Sequence, residues 1–283
     1  MNKLTDEHYW DERHTVNKRD AERGLGERRG LRRVVDRLRT NLGAEIGSSY
    51  TDFLYEQALR RHLPKRNDWK VLEIGCAPGQ RLTRIADIFG YQPYGVEYSP
   101  VGVEATRATF ARHGVPQDQV IPADMFSPEF QQKYAGQFDV VFSRGLIEHF
   151  DKPKDVVAIH AALVKPGGYL FCSIPNLFGL AGPFFKYGAR DVYDAHNLAI
   201  MKLPVFRSLF EGHGLNETFC GMVGQLSLLG VASVERPGLT GRVLRLSCQA
   251  GNIFNHFLFL IQRGRAIETR WSPLFLYIGK KPG

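Results

Sequence analysis

Acidic side chains and glycines fall at three places in this chain where a nucleoside could be held. The first is Glu73-Ile74-Gly75-Cys76-Ala77-Pro78-Gly79, directly after the apolar pair Val71-Leu72. Gly75 and Gly79 allow a tight turn and close approach of a ligand to the main chain. Amides at the start of a following helix favour a carboxylate or phosphate there. The second place is Glu97, at about the distance beyond Gly79 at which an acidic side chain takes ribose hydroxyls in nucleotide-binding sheets. The third is Asp124, where a carboxylate could accept from the exocyclic amine of an adenine. Singly, each carboxylate reads as a solvated strand end or a helix cap. Together with the glycine loop they outline one nucleoside-type crevice. The G-x-G-x-x-G spacing that cradles a pyrophosphate is not met, because Pro78 and Gly79 follow Cys76 and Ala77.

Such a crevice needs strand ends to build it, and the surrounding pattern supplies them. Strands are expected at Lys70–Ile74, Tyr94–Glu97, Gln119–Ala123, Phe138–Ser143 and Tyr169–Ile174. Helices are expected at Tyr50–His62, Gln80–Phe89, Pro100–His113, around Pro128–Tyr134, and at Lys154–Val164, with a turn at Lys165-Pro166-Gly167-Gly168. This alternation predicts a doubly wound, mostly parallel α/β sheet covered on both faces, with ligands at the carboxyl ends of its strands. Later in the chain a helix is expected at Pro204–His213 and strands at Asn216–Met222 and Pro273–Ile278. The resulting division is an N-terminal helical extension (1–68), a core (69–222), and a basic, partly apolar helical insert with a last strand that completes the core (223–283).

The 283 residues are 43% hydrophobic and 23% charged, the composition of a folded globular chain rather than a disordered one. No apolar run reaches membrane-spanning length, and the most apolar window, Phe254–Ile261, is broken by Asn255 and His256. The first residues lack an apolar signal core. Cys76, Cys172, Cys220 and Cys248 are far apart, which fits neither a zinc site nor a disulfide framework and points to a cytoplasmic setting. The net charge of +8 concentrates at Lys18–Arg39 and beyond Val234. Those patches read as solvated helix faces or as contacts for an anionic or membrane surface.

The glycine loop and its two carboxylates resemble the class I S-adenosylmethionine-dependent methyltransferases, over about residues 50–222 and more loosely at Pro273–Lys280. The family's acidic-x-Gly-x-Gly-x-Gly motif is present with Ala77 at the middle glycine. The resemblance implies a Rossmann-like methyltransferase fold of seven strands and S-adenosylmethionine as cofactor. By the same resemblance, Glu73 and the Gly75-Cys76…Gly79 backbone would hold the amino-acid end of the cofactor. Glu97 would hold the ribose, with Tyr98 beside the adenine. Asp124 and Met125 would bind and cover the base, and Arg144 would pass near the methionine part.

In this fold the turn Ser143–Phe150 faces the methyl group. His149 is the leading general-base candidate, since its unperturbed pKa lies near neutrality, and Glu148 reads as a local structural partner. Glu148-His149 is also similar to the end of the Glu-x-x-Glu-His stretch of ubiquinone-type O-methyltransferases, which can hold a divalent metal. Gly145 stands at the first acidic position, so no metal site is expected. Asn176 and His196, after the fifth strand, are candidate acceptor contacts, with His196 the alternative base. Tyr9-Trp10-Asp11-Glu12-Arg13 is similar to an aromatic segment that closes over the cofactor in related enzymes, although packing of Trp10 on the domain without contact to the ligand is the simpler account.

The acceptor is expected to be a small molecule bearing a hydroxyl, of sugar, glycan-linked or natural-product type. A quinone or other lipid-like acceptor at a membrane surface, RNA methylation, and a non-catalytic cofactor-binding scaffold remain open. Nucleic-acid bases are disfavoured because Ser143-Arg144-Gly145-Leu146 stands where amino-methylating enzymes carry Asn/Asp-Pro-Pro-aromatic. A homodimer contact through the apolar insert also stays open.

Overall fold

The computed structural model describes residues 4–5, 10–11, 50–179, 182–188, 190–224 and 268–283, with isolated positions at 250, 254 and 261. The basic segment 18–39 and nearly all of the insert therefore lie outside the described residues, as do the domain boundaries drawn through them.

Helix α1 (Tyr50–His62) leads into β1 (Lys70–Ile74), α2 (Gln80–Phe89), β2 (Gln92–Glu97) and α3 (Pro100–Arg112). Then come β3 (Val120–Pro122), α4 (Pro128–Tyr134), β4 (Phe138–Arg144), α5 (Pro153–Leu163) and β5 (Val164–Pro175). Short helices α6 (Gly182–Gly188), α7 (Arg190–Asp194) and α8 (Leu203–Ser208) precede β6 (Asn216–Val223) and β7 (Leu274–Lys280). The seven strands form one sheet in the order β3-β2-β1-β4-β5-β7-β6. Strands β1 to β5 run parallel, while β7 lies antiparallel to both β5 and β6.

The local sequence accounts for these elements. β1 and β4 are apolar on both faces because helices cover the sheet from both sides. α2 buries Leu82, Ile85, Ala86, Ile88 and Phe89, a stripe at helical spacing. α3 and α4 start at Ser99 and Ser127, whose hydroxyls accept from the amides of Gly102 and Phe130, each followed by a proline in the first turn. Two apolar layers result. One places Leu72, Val141, Leu170 and Phe275 against α5 and α8; the other places Val71, Val140, Phe142 and Leu276 against α1 and α2. Phe142 and Phe171 stack across β4 and β5 with ring centroids 4.6 Å apart. Burying a side chain of that size contributes roughly 1.5–3 kcal/mol.

β1 is flanked by β2 on one side and β4 on the other. The chain winds in opposite directions from β1, so its carboxyl end opens a crevice. Two elements differ from the sequence expectation. The turn at Lys165–Gly168 is absorbed into a twelve-residue β5, with a register shift opposite Phe138/Val140, because the Gly167-Gly168 kink is accommodated as an irregularity in the ladder. The helix expected at Pro204–His213 stops at Ser208, and Gly212 and Gly214 carry the chain in left-handed turns into β6.

Candidate active site

The β1 loop, the end of β2, the residues after β3 and the turn after β4 enclose a cleft of about 320 Å³. Its walls include Gly75, Ala77, Arg81, Glu97, Tyr98, Asp124, Met125, Arg144 and His149. The three carboxylate-bearing places expected from the sequence thus fall at one crevice, although Glu73 stands just behind its wall.

Glu97 is buried, and its Oε1 accepts from the amides of Tyr98 and Ser99 at 3.0 and 2.9 Å while Oε2 takes the Ala77 amide at 3.4 Å. Burial still holds its carboxyl above the ordinary range, against these bonds. Asp124 Oδ1 accepts from the Phe126 amide at 3.0 Å, fixing the turn that brings Met125 to the cleft. Gly79 sits at φ +92 at the start of α2, the left-handed region that favours glycine.

Glu73 is fully buried, and burial pushes its carboxyl up to about 7, opposed by the neighbouring Arg81 guanidinium at 3.5 Å. Its Oε2 has no hydrogen-bond partner among the described residues. Such an orphan is costly unless a ligand satisfies it. Arg81 also donates to the carbonyl of Arg144 at 3.3 Å. Arg144 closes the end of β4, paired with Asp52 at 2.7 Å and resting over the Tyr55 ring. Arg81 escaped the sequence reading because nothing in its helix spacing marks it. Only the fold sets it beside Glu73, eight residues earlier.

At the far end of the cleft, His149 Nδ1 lies 2.9 Å from the Ala195 carbonyl, which fixes the proton on Nδ1 and leaves the lone pair on Nε2. Trp10 packs edge-on against this ring at 5.0 Å, and the Leu4 amide donates to the His149 carbonyl. Thr5 and Trp10 line the cleft, and Asp11 hydrogen-bonds the Ser99 hydroxyl, so described residues of the aromatic N-terminal stretch cover the site as well as pack on the domain. His196 reaches the same corner, its ring 4.5 Å from that of His149.

Asn176 and Glu148 differ from expectation, while Cys76 keeps the main-chain role expected of it. Asn176 does not face the cleft: it is buried, donates to the carbonyls of Arg270 and Ser272, and accepts from the Phe178 amide, so it ties the end of β5 to the approach to β7. The Cys76 side chain turns into the core, where its Sγ lies 3.8 Å from the Thr106 hydroxyl, leaving its main chain to serve the loop. Glu148 is not paired locally. It is fully buried, both oxygens lack a hydrogen-bond partner among the described residues, and burial pushes its carboxyl up to about 8. His196 joins Glu148 and His149 at this corner, and one side-chain N or O atom from each of the three lies within 4.8 Å of the others.

A family described as a methyltransferase domain matches residues 27–218. Curated relatives include ubiquinone biosynthesis O-methyltransferases. That of Thiobacillus denitrificans is 32% identical over 38% of this chain and 44% of its own length. That of Erwinia tasmaniensis is 33% identical over 42% of this chain and 51% of its own. The chain thus spans about half the length of these relatives. Among solved structures, geranyl diphosphate C-methyltransferase of Streptomyces coelicolor, in complex with S-adenosyl-L-homocysteine, aligns with TM-score 0.51 at 15% identity, over 85% of this chain and 86% of its own. A Haemonchus contortus phosphoethanolamine N-methyltransferase, also with S-adenosylhomocysteine, aligns with TM-score 0.53 at 16% identity, over 87% of this chain and 57% of its own. These likenesses are to the fold alone. The orphaned Glu73 oxygen and the buried Glu97 at the sheet's switch point suit the ammonium and ribose of S-adenosylmethionine. The chain belongs to the methyltransferase domain family.

Proposed function

We propose that this enzyme methylates a hydroxyl oxygen of a small acceptor, with His149 taking the hydroxyl proton. The observation that carries this reading is the His149 ring in the wall of the cleft, with its Nδ1 proton held by the Ala195 carbonyl. Its Nε2 is thereby the nitrogen that accepts a proton. The bound cofactor supplies a sulfonium methyl: the oxygen lone pair forms the O–CH3 bond as the C–S bond breaks onto sulfur.

The chain's own residues do the positioning. Glu73 and Arg81 receive the charged amino-acid end, Glu97 holds the ribose hydroxyls, and Tyr98, Asp124 and Met125 enclose the base. Arg144, anchored on Asp52, borders the methionine part. Trp10 and Thr5 exclude water over the reacting atoms, which favours a fixed in-line geometry. Gly75, Cys76 and Gly79 contribute through the loop main chain.

The acceptor we favour is a small polar molecule of sugar, glycan-linked or natural-product type, used in the cytoplasm. A quinone-type phenol is the second reading, favoured by the similarity to ubiquinone biosynthesis O-methyltransferases. A transfer screen with methyl-labelled cofactor against sugar, phenol, quinone and RNA panels decides between them. Label recovered as an O-methyl product supports the reading. Label recovered only on RNA, or only on nitrogen or carbon, overturns it.

A further inference from the structure

We propose that Asp52 is a positioning residue for the cofactor: from α1 it holds the Arg144 guanidinium off Glu73 and keeps that carboxylate open to the cofactor's ammonium. A second cavity, of about 480 Å³, shares a wall with the cleft. Ala77, Pro78, Arg81 and Arg144 line both, whereas Asp52 and Tyr55 line the second and not the cleft.

Sheet register puts Glu73 and Arg144 within reach of each other. Glu73 lies opposite Phe142 across β1 and β4, and Arg144 is two residues beyond Phe142 on the same strand. Side chains two apart on a strand share a face, and Phe142 faces the layer that holds α1 and α2. Arg144 is thus the diagonal neighbour of Glu73, a distance that long side chains span.

Two contacts hold Arg144 elsewhere. Its Nη1 lies 2.7 Å from Asp52 Oδ1, and its guanidinium rests over the Tyr55 ring, Cζ 4.7 Å from the centroid. Both partners stand on α1, and Tyr55 is buried. The same helix is clamped to α2 by Arg84, whose Nε and Nη2 donate to the two Glu56 oxygens at 2.8 Å each. A forked pair of that kind fixes direction as well as distance, so α1 presents Asp52 from a set frame.

The consequence falls on the ligand. Glu73 Oε1 is met by Arg81 at 3.5 Å, while Oε2 has no hydrogen-bond partner among the described residues. A buried acceptor of this kind suits a cationic ligand. An arginine turned onto it would satisfy it from within the protein and compete with the cofactor. A largely buried guanidinium that loses its carboxylate is costly and relaxes towards the next one, which here is Glu73. This role of Asp52 rests on the placement of the cofactor's amino-acid end at Glu73, and not on which acceptor atom takes the methyl.

The charged and titratable groups that face Glu73 are Arg81 from α2, Arg144 from β4, Glu97 from β2 and Tyr55 from α1. Burial raises the Glu73 carboxyl, and the Arg81 and Arg144 cations oppose it. With Asp52 gone, Arg144 approaches and lowers the carboxyl further. The rise of affinity with pH then moves to lower pH, while its plateau falls.

The test is calorimetry of the full chain with S-adenosylhomocysteine between about pH 6 and pH 8. Asp52→Asn should bind roughly tenfold more weakly at the upper end, with its pH midpoint shifted down. In an Arg144→Gln background the same substitution should cost less than about twofold, since the residue it acts through is gone. Glu56→Gln loosens α1 without touching Arg144, and should lower the urea midpoint while affinity stays near that of wild type. Urea midpoints on every variant report that the fold is intact. Wild-type affinity in a folded Asp52→Asn overturns the role of Asp52, as does a loss that multiplies with that of Arg144→Gln. An equal loss in Glu56→Gln assigns the effect to the whole helix and overturns it too. Glu73→Gln separates this from the cofactor placement. If it binds as tightly as wild type, the placement itself falls; if it is weakened beside an unaffected Asp52→Asn, the role of Asp52 alone is lost.

Discussion

The Glu73 carboxylate and the Arg81 guanidinium stand 3.5 Å apart across the start of α2, one fully buried and the other reaching the cleft. Burial holds the Glu73 carboxyl near 7, and Arg81 keeps it from rising further. A cationic amine is bound by the ionised form. Affinity for S-adenosylhomocysteine should therefore climb as pH rises through about 7, falling by up to about tenfold per unit below it. Calorimetry between about pH 6 and pH 8 reads this directly, and Glu73→Gln should both weaken binding and flatten the profile. A pH-independent affinity in wild type would refute the role given to Glu73.

Glu97 is organised by three backbone amides before any ligand arrives. Glu97→Ala should weaken S-adenosylhomocysteine by roughly 1.5–3 kcal/mol, the worth of hydrogen bonds to a charged group. Gly102→Ala should do part of the same damage from behind. A Cβ there would stand 2.9 Å from Glu97 Cγ and 3.0 Å from the Ala77 methyl. Unchanged affinity in both variants would remove the ribose assignment.

His149→Ala should lower turnover about 10²- to 10⁴-fold, the usual range for a positioned proton acceptor. Cofactor affinity should change far less, because Glu73 and Glu97 remain in place. Turnover kinetics and calorimetry on one preparation separate the two effects. A variant with near-wild-type turnover would show that His149 only packs.

Asn176→Ala should act on stability rather than on acceptor affinity. Its side chain satisfies the carbonyls of Arg270 and of the buried Ser272, and the Phe178 amide, and their loss costs about 1–3 kcal/mol. A lower urea midpoint with an unchanged acceptor KM is expected. The reverse result would restore Asn176 to the acceptor pocket.

His160 is wholly buried, with Nδ1 on the Val156 carbonyl and Nε2 on the Ser143 hydroxyl, and burial lowers its pKa to about 4. Between about 4 and 6.5 the unfolded chain binds the extra proton and the native ring does not. Stability is then full above about 6.5 and is lost as pH falls towards 4, by at most about 3 kcal/mol. Denaturant midpoints at about pH 5 and pH 7.5 should differ less in His160→Gln than in wild type.

What could be read in advance follows the range of the signal. β1, its glycine loop and Glu97 lie within one short stretch, where apolar runs, glycines and a strand-end carboxylate announce themselves locally. The corner at His149 does not. Its partners Ala195 and His196 come from some forty-six residues away along the chain, and no periodicity links the two segments. Asn176 misled for the related reason that a polar residue at a strand end looks the same whether it meets a ligand or two main-chain carbonyls. Arg81 was hidden because a helix's first turn gives no sign of which neighbour it will face.

The placement of β7 between β5 and β6 has a bearing on how the chain matures during synthesis. β6 emerges from the ribosome about fifty residues before the strand that must join it to the sheet. Until then β5 and β6 each carry an open row of amides and carbonyls, the kind of exposed border that invites pairing with the wrong chain. A nascent polypeptide stalled anywhere after Val223 and before Leu274 would be the form most in need of a chaperone.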